Sequence, residues 1–308
     1  MTVGAPVEGA RYHIRLGGEL AAVGALTVAG QRDLAGRVRA HPDLFAPAPF
    51  DAALIGGVAY ATACNATGAT SAEIRVANRA ALWVFALDWQ VDTVATAVER
   101  VDEIVAGCLA VADGDVPDPG LPLAGFLAEI RDELATSSAA YAGYRSLWRE
   151  ELRRTLVAMA REWDWKSGRA TGAGAVLPDL ETYLDCADNT GLAWVNLCHW
   201  LRTGGPDCLD RLDELRAVGG QVQRVLRLVN DLATYDRDVA WGPGDLNVLM
   251  LGVDRAEVTR RVGDLVDGCV RLLAPLRAAC PDQASYLARQ LGYVTRFYDS
   301  GVDFWGEL

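Results

Sequence analysis

Apolar residues recur along this chain at three- and four-residue intervals, and no run of alternating Val, Ile and Thr bounded by turn signals interrupts them. The pattern predicts an all-α fold. Glycine and proline punctuate it into helices over roughly 19–40, 50–65, 71–108, 124–136, 139–166, 180–202, 207–238, 255–279 and 284–299. The polar breaks at 117–122, 167–174 and 204–206 are short enough for antiparallel neighbours. No linker or repeat divides the chain, so 1–308 is read as one antiparallel helical bundle, with 1–18 as a flexible N-terminal segment. Within 180–202, Thr190-Gly191 separates two apolar stretches. Glycine weakens a helix interior by about 1 kcal/mol relative to alanine. Gly191 therefore marks either a kink that turns backbone toward a ligand or a point of close packing.

Two sets of polar residues interrupt the apolar pattern at helical spacing. In Arg227-Leu-Val-Asn-Asp-Leu-Ala-Thr-Tyr-Asp-Arg-Asp238, the residues Asn230, Thr234 and Asp238 stand four apart. Each falls about 40° from the last, so three oxygen donors share one helix face. Asp88 and Asp92 repeat the spacing at the end of the apolar segment that holds Phe85. A solvated stripe is the commoner explanation of a single such pair. Both sets begin directly after apolar runs, however, and burying carboxylates without compensation would cost several kcal/mol. Two facing walls of oxygen donors suit a hard divalent cation such as Mg2+, whose shell is completed by water and phosphate. Arg227, one turn before Asn230 and flanked by Leu226, Leu228 and Val229, is the candidate contact for the phosphate.

Composition narrows the function. The chain is 51% hydrophobic, enough for a large buried bundle. Lys and Arg number 29 against 41 Asp and Glu, and the resulting charge of −12 disfavours nucleic acid and anionic lipid. The seven cysteines are odd in number and none are at metal-binding spacing, as expected of free thiols in a reducing cytoplasm. No apolar stretch approaches the roughly 20 residues needed to span a bilayer, and the N-terminus does not read as a leader, so a cytoplasmic chain without membrane insertion is expected. His13, His41 and His199 lie near no other catalytic motif. Aromatic faces stabilise cations, and Phe85, Trp194 (one turn past Gly191) and Trp305 are candidate pocket walls.

The downstream segment fits Asn-Asp-x-x-Ser/Thr-x-x-x-Glu/Asp, and the upstream one resembles Phe-x-x-Asp-Asp-x-x-Asp with Trp89 in place of the second aspartate. Together they resemble the two metal motifs of class I terpene synthases. Arg227-Leu-Val-Asn230 and the later Gly244-Asp-Leu-Asn247 resemble the bacterial kaurene-synthase-like, labdane-related branch. The resemblance implies that Asp88, Asp92, Asn230, Thr234 and Asp238 hold three Mg2+ ions with a bound diphosphate. It implies that Arg227 contacts the diphosphate, and that Arg296 and Tyr298 do so as the site closes. The position of the family's sensor arginine is Ala187 here, so that contact is absent or supplied from elsewhere. Trp89 implies either that the lost aspartate only supported the ligands from behind or that metal binding is weakened. The expected reaction is ionisation of copalyl diphosphate and cyclisation to a pimaradiene- or kaurene-type diterpene hydrocarbon. No Asp-x-Asp-Asp segment is present, so an upstream class II cyclase would supply the bicyclic substrate. Direct use of geranylgeranyl or farnesyl diphosphate is the alternative, and a non-catalytic helical scaffold with decayed metal motifs is a second. The resemblance also admits a homodimer.

Overall fold

The computed structural model describes residues 5–45, 48–171, 176–240 and 246–306, and among these it holds helices and their connections, with no strand. In chain order they are α1 (Ala5–Ala40), α2 (Ala52–Asn65), α3 (Ser71–Trp89), α4 (Val98–Asp113), α5 (Pro122–Ser137), α6 (Tyr141–Thr171), α7 (Leu180–Asp185), α8 (Leu192–Thr203), α9 (Pro206–Leu209), α10 (Leu212–Ala240), α11 (Arg255–Ala279) and α12 (Pro281–Asp299). Local chemistry sets the helix starts. Asp51 accepts hydrogen bonds from the N–H groups of Ala53 and Leu54 at 2.8 and 2.9 Å to open α2. Thr70 and Glu73 form a reciprocal capping box at α3, and Asp179 and Asp254 cap α7 and α11. Prolines occupy the first turns of α5, α9 and α12, where a missing N–H costs nothing.

The bundle packs α3 against α5 and α8, and α10 against α11 and α12, with α1 and α2 along one flank. Trp83 and Trp194 meet at 5.1 Å between ring centroids, and Trp148 and Trp194 at 5.7 Å, in the fully buried centre. Arg79 on α3 reaches Asp33 on α1 at 2.6 Å and Glu133 on α5 at 2.7 Å, tying three helices at one half-buried node.

Four expectations change. Residues 5–18 continue α1 as helix, although side chains 11–22 stand in solvent. The 71–108 segment is two helices, because α3 widens at Gln90–Val94 into a π-helical turn and the backbone then extends through Ala95–Ala97. That run is dense in β-branched residues, which sit poorly in a continuing α-helix. The 207–238 segment breaks after Leu209, so that α9 is a short separate turn. Finally, α6 runs through Ser167-Gly168 to Thr171, with Ser167 Oγ donating back to Trp163 O at 2.8 Å. Residues 172–174 of the predicted break, and Gly244, lie outside the described residues.

The break in the 180–202 segment is present. A 3-10 turn, Ala187–Thr190, leads into Gly191, which sits at φ +65° and starts α8. The close-packing reading of this glycine is supported, and the break lies where the sequence placed it. The left-handed backbone disfavours any side chain, and a Cβ would lie 2.5 Å from Val84 Cγ2 on α3. Gly191→Ala is expected to destabilise the fold by about 1–3 kcal/mol. Gly205→Ala, where a Cβ meets nothing within 4 Å, provides the control and should shift stability by less than about 1 kcal/mol. Urea unfolding of the two variants checks this; equal midpoints would remove the constraint assigned to Gly191.

Candidate active site

A cavity of about 310 Å3 opens between α2, α3, α8, α10 and α12, and both polar sets reach it. From the end of α3 come Asp88, and Asp92 in the π-helical turn; from α10 come Asn230 and Asp238. Phe85, Trp89 and Trp305 line it as well. The C-terminal tail contributes to this lining, and Trp305 lies 5.3 Å from Phe85 and 6.0 Å from Trp89 between ring centroids. Trp89, in the place of the second aspartate of the motif, is thus part of an aromatic wall that also takes in Phe50.

The α10 wall is held by a dense set of hydrogen bonds. Asp238 Oδ2 accepts from Thr234 Oγ1 at 2.8 Å and from Asn247 Nδ2 at 2.9 Å, while Arg237 reaches Oδ1 at 3.1 Å. Thr234 is buried on the shared helix face, but its hydroxyl is turned to Asp238 and it does not line the cavity. Tyr298 lines the cavity. Burial pushes its phenol up, and a hydrogen bond from the Asn230 side chain opposes that shift. Asp231, which also lines the cavity, accepts from Tyr183 Oη at 2.9 Å and from Val248 N at 3.1 Å. Its burial outweighs the pull of Arg227 and pushes it up to about 8.

Arg227 lines the cavity and is almost wholly buried, with Cζ 3.8 Å above the Tyr183 ring. Its Nη2 donates to Glu162 Oε2 at 3.0 Å. Glu162 in turn lies 3.4 Å from Lys166 Nζ, and Lys166 donates to Asp92 Oδ2 at 2.7 Å. Charges of alternating sign therefore run from one wall to the other through α6. Burial alone would raise the Glu162 carboxyl, but Arg227 and Lys166 outweigh it and hold Glu162 below the usual carboxylate range.

Two expected residues lie elsewhere. Arg296 is exposed and pairs with Asp299 at 2.6 Å, since two residues along α12 turn it about 200° from Tyr298. Trp194 is fully buried among Trp83 and Trp148. Leu192 and Val195 take the cavity side of α8, and Trp194 is about 100° around the helix from Val195. Gly191 shapes the break without lining the cavity, whereas its neighbours Asn189 and Thr190 do line it. His199 is stacked on Tyr286 in the core, where burial pushes it down to about 4 and keeps it neutral.

The sequence reading missed several groups. Arg237 and Asp303 form an ion pair that pins the C-terminal tail beside Asp238. Arg237 stood one residue before a candidate ligand, which was a usable signal; the partner on the tail had none. Glu162 and Lys166 are one helical turn apart on α6, in a stretch rich in other charges that hid them.

The donors that face the cavity are all oxygens, which fits a hard cation. Among the described residues no cluster of three or more His, Cys, Asp or Glu side chains gathers at one point. Neither wall is a self-sufficient metal cage, so the donor set fits Mg2+ that takes one or two carboxylates from protein and the rest from phosphate and water.

Residues 79–271 match the family model described as terpene synthase family 2, C-terminal metal binding. Over 223 residues, 71% of this chain and 74% of the relative, the sequence is 29% identical to ent-pimara-9(11),15-diene synthase of Streptomyces sp. (strain KO-3988). The fold is similar to linalool/nerolidol synthase from Streptomyces clavuligerus in complex with 2-fluorogeranyl diphosphate, with TM-score 0.66 and 20% identity over 90% of this chain and 98% of that one. It is also similar to 2-methylisoborneol synthase from Streptomyces coelicolor A3(2) in complex with Mg2+ and 2-fluorogeranyl diphosphate, with TM-score 0.64 and 14% identity over 90% of each chain. Among the described residues no helix is long and apolar enough to cross a membrane. The chain belongs to the metal-binding terpene synthase family 2 and is a class I terpene synthase, a lyase that eliminates diphosphate from isoprenoid substrates.

Proposed function

We propose that this enzyme is a Mg2+-dependent diterpene synthase that ionises copalyl diphosphate, made by a separate class II cyclase, and closes a pimaradiene- or kaurene-type skeleton. One observation carries the reading: a single cavity has oxygen-bearing walls from α3 and α10 and an aromatic lining beside them. Asp88 and Asp92 would hold metal from one side and Asn230, Thr234 and Asp238 from the other, with three ions in the diphosphate complex. Thr234 would first exchange its bond to Asp238. Bound Mg2+ would supply positive charge that stabilises the departing diphosphate.

The protein's own groups do the remaining work. Arg227, buried on the cavity wall and held by Glu162 and Tyr183, would present a fixed cation to the leaving oxygens, and Arg237 and Tyr298 would add donors beside the α10 wall. The rings of Phe85, Trp89 and Trp305 exclude water and each face a cation with about 0.5–2 kcal/mol of attraction. The pimaradiene synthase relative supports a C20 substrate and a tricyclic skeleton.

The test is turnover of copalyl, geranylgeranyl and farnesyl diphosphate by purified protein with Mg2+, with organic products resolved by gas chromatography and mass spectrometry. A cyclic diterpene from copalyl diphosphate, with the linear substrates at least tenfold poorer, is the expected result. Preference for either linear substrate would replace this assignment.

A further inference from the structure

Asp92 reaches the cavity with a cation already on it. Lys166 of α6 donates from Nζ to Asp92 Oδ2 at 2.7 Å and lies 3.4 Å from Glu162 Oε1. The lysine side chain is 6% exposed against 24% for that of Asp92, and Asp92 lines the cavity whereas Lys166 does not. The ammonium therefore stands behind the carboxylate. A buried lysine keeps its charge only where anions compensate the lost hydration, and Asp92 and Glu162 do so here. α6 packs against the π-helical turn that carries Asp92, which brings the pair together.

This arrangement sets the charge that the α3 wall offers to a metal. Two carboxylates of that wall line the cavity, Asp88 and Asp92, because Trp89 stands where the motif has its second aspartate. Arg227, Glu162, Lys166 and Asp92 alternate in sign and sum to zero, so Asp92 brings the cavity little net charge. A divalent ion placed on Asp92 by itself would approach the Lys166 ammonium in a place where like charges are poorly screened. Glu162, bound by Arg227 at 3.0 Å, holds the lysine there. Diphosphate changes the balance, since its oxygens complete a Mg2+ shell and supply the negative charge that Asp92 has given to lysine.

We propose that Lys166 is a positioning residue that clamps Asp92 and, by offsetting its charge, keeps the α3 wall from holding a divalent cation until diphosphate arrives with it. It rests on the reading of Asp92 as a metal ligand. Metal and substrate then load together, and the lysine acts on metal through Asp92 without touching either metal or diphosphate.

The test is equilibrium dialysis of purified protein against Mn2+, with and without inorganic diphosphate, counting the protein-bound metal. Wild type should bind Mn2+ at least tenfold more tightly with diphosphate than without it. Lys166→Met, and Lys166→Gln, which keeps a donor for Asp92 but no charge, should each bind Mn2+ alone at least tenfold more tightly than wild type. Lys166→Arg restores the charge and should restore the wild-type dependence on diphosphate. Adding Asp92→Asn to Lys166→Met should remove the gain. A gain in affinity is a readout that loss of structure does not produce. Wild type that binds Mn2+ equally well without diphosphate overturns this proposal and leaves the metal site intact. Unchanged affinity for Mn2+ alone in Lys166→Met and Lys166→Gln overturns the role of Lys166. A gain that persists after Asp92→Asn overturns the route through Asp92. Absence of bound Mn2+ under every condition overturns the reading of the site itself.

Discussion

Asp238→Asn and Asn230→Ala are each expected to lower product formation by on the order of 10²–10³-fold while helicity and melting stay near wild type. The choice of asparagine at 238 matters. Asp238 accepts from Thr234 and Asn247 and is bound by Arg237, so alanine there would leave buried partners unsatisfied and add about 1–3 kcal/mol of instability to any catalytic loss. Asparagine keeps the shape and one acceptor oxygen but removes the negative charge. Asn230 lies on the cavity wall and is only half-buried, so its truncation is gentler on the fold. Arg296→Ala, which loses only an exposed pair with Asp299, should leave turnover unchanged. Circular dichroism and product quantification on the same samples separate the two kinds of loss. Full activity in both Asn230→Ala and Asp238→Asn would refute the assignment of the α10 wall.

Glu162→Leu is expected to be the most destabilising single change near the site. Glu162 is buried between Arg227 and Lys166, and removing it leaves two cations facing each other in a place that water does not reach freely. Breaking a buried pair on one side costs about 3–5 kcal/mol. For a chain of 308 residues that corresponds to a fall in melting temperature of roughly 5–8 °C. Glu162→Gln retains a hydrogen-bond acceptor for Arg227 and should lose less. Calorimetry of both variants is the check. A change under about 1 kcal/mol for Glu162→Leu would mean that the charges relax into solvent and that the two cavity walls are not tied through α6.

The all-α class and the main helices were legible because three- and four-residue periodicity is a direct record of which face is buried. The Asn230 and Asp238 face was legible for the same reason, and α10 is regular enough that spacing translated into geometry. Periodicity reported less where the helix is not ideal. Asp88 and Asp92 reach one cavity, but through a π-helical turn that sequence spacing does not announce. Trp194 illustrates the limit of reading one turn from a known landmark, because a single 100° step separates the cavity side of α8 from the core. Arg296 and Tyr298 show the same limit on α12. Glu162 and Lys166 were illegible for another reason: their meaning comes from Arg227 and Asp92 on other helices, and pairing across a bundle leaves no local pattern.

The central claim is that the Asp88 and Asp92 wall and the Asn230 and Asp238 wall grip one metal–diphosphate group between them. Crystals soaked with Mn2+ and inorganic diphosphate, measured for anomalous scattering at the manganese edge, test this directly. Peaks within coordination distance of carboxylate oxygens on both walls, with diphosphate between them, are predicted; diphosphate bound elsewhere, or no peak at either wall, would contradict the account.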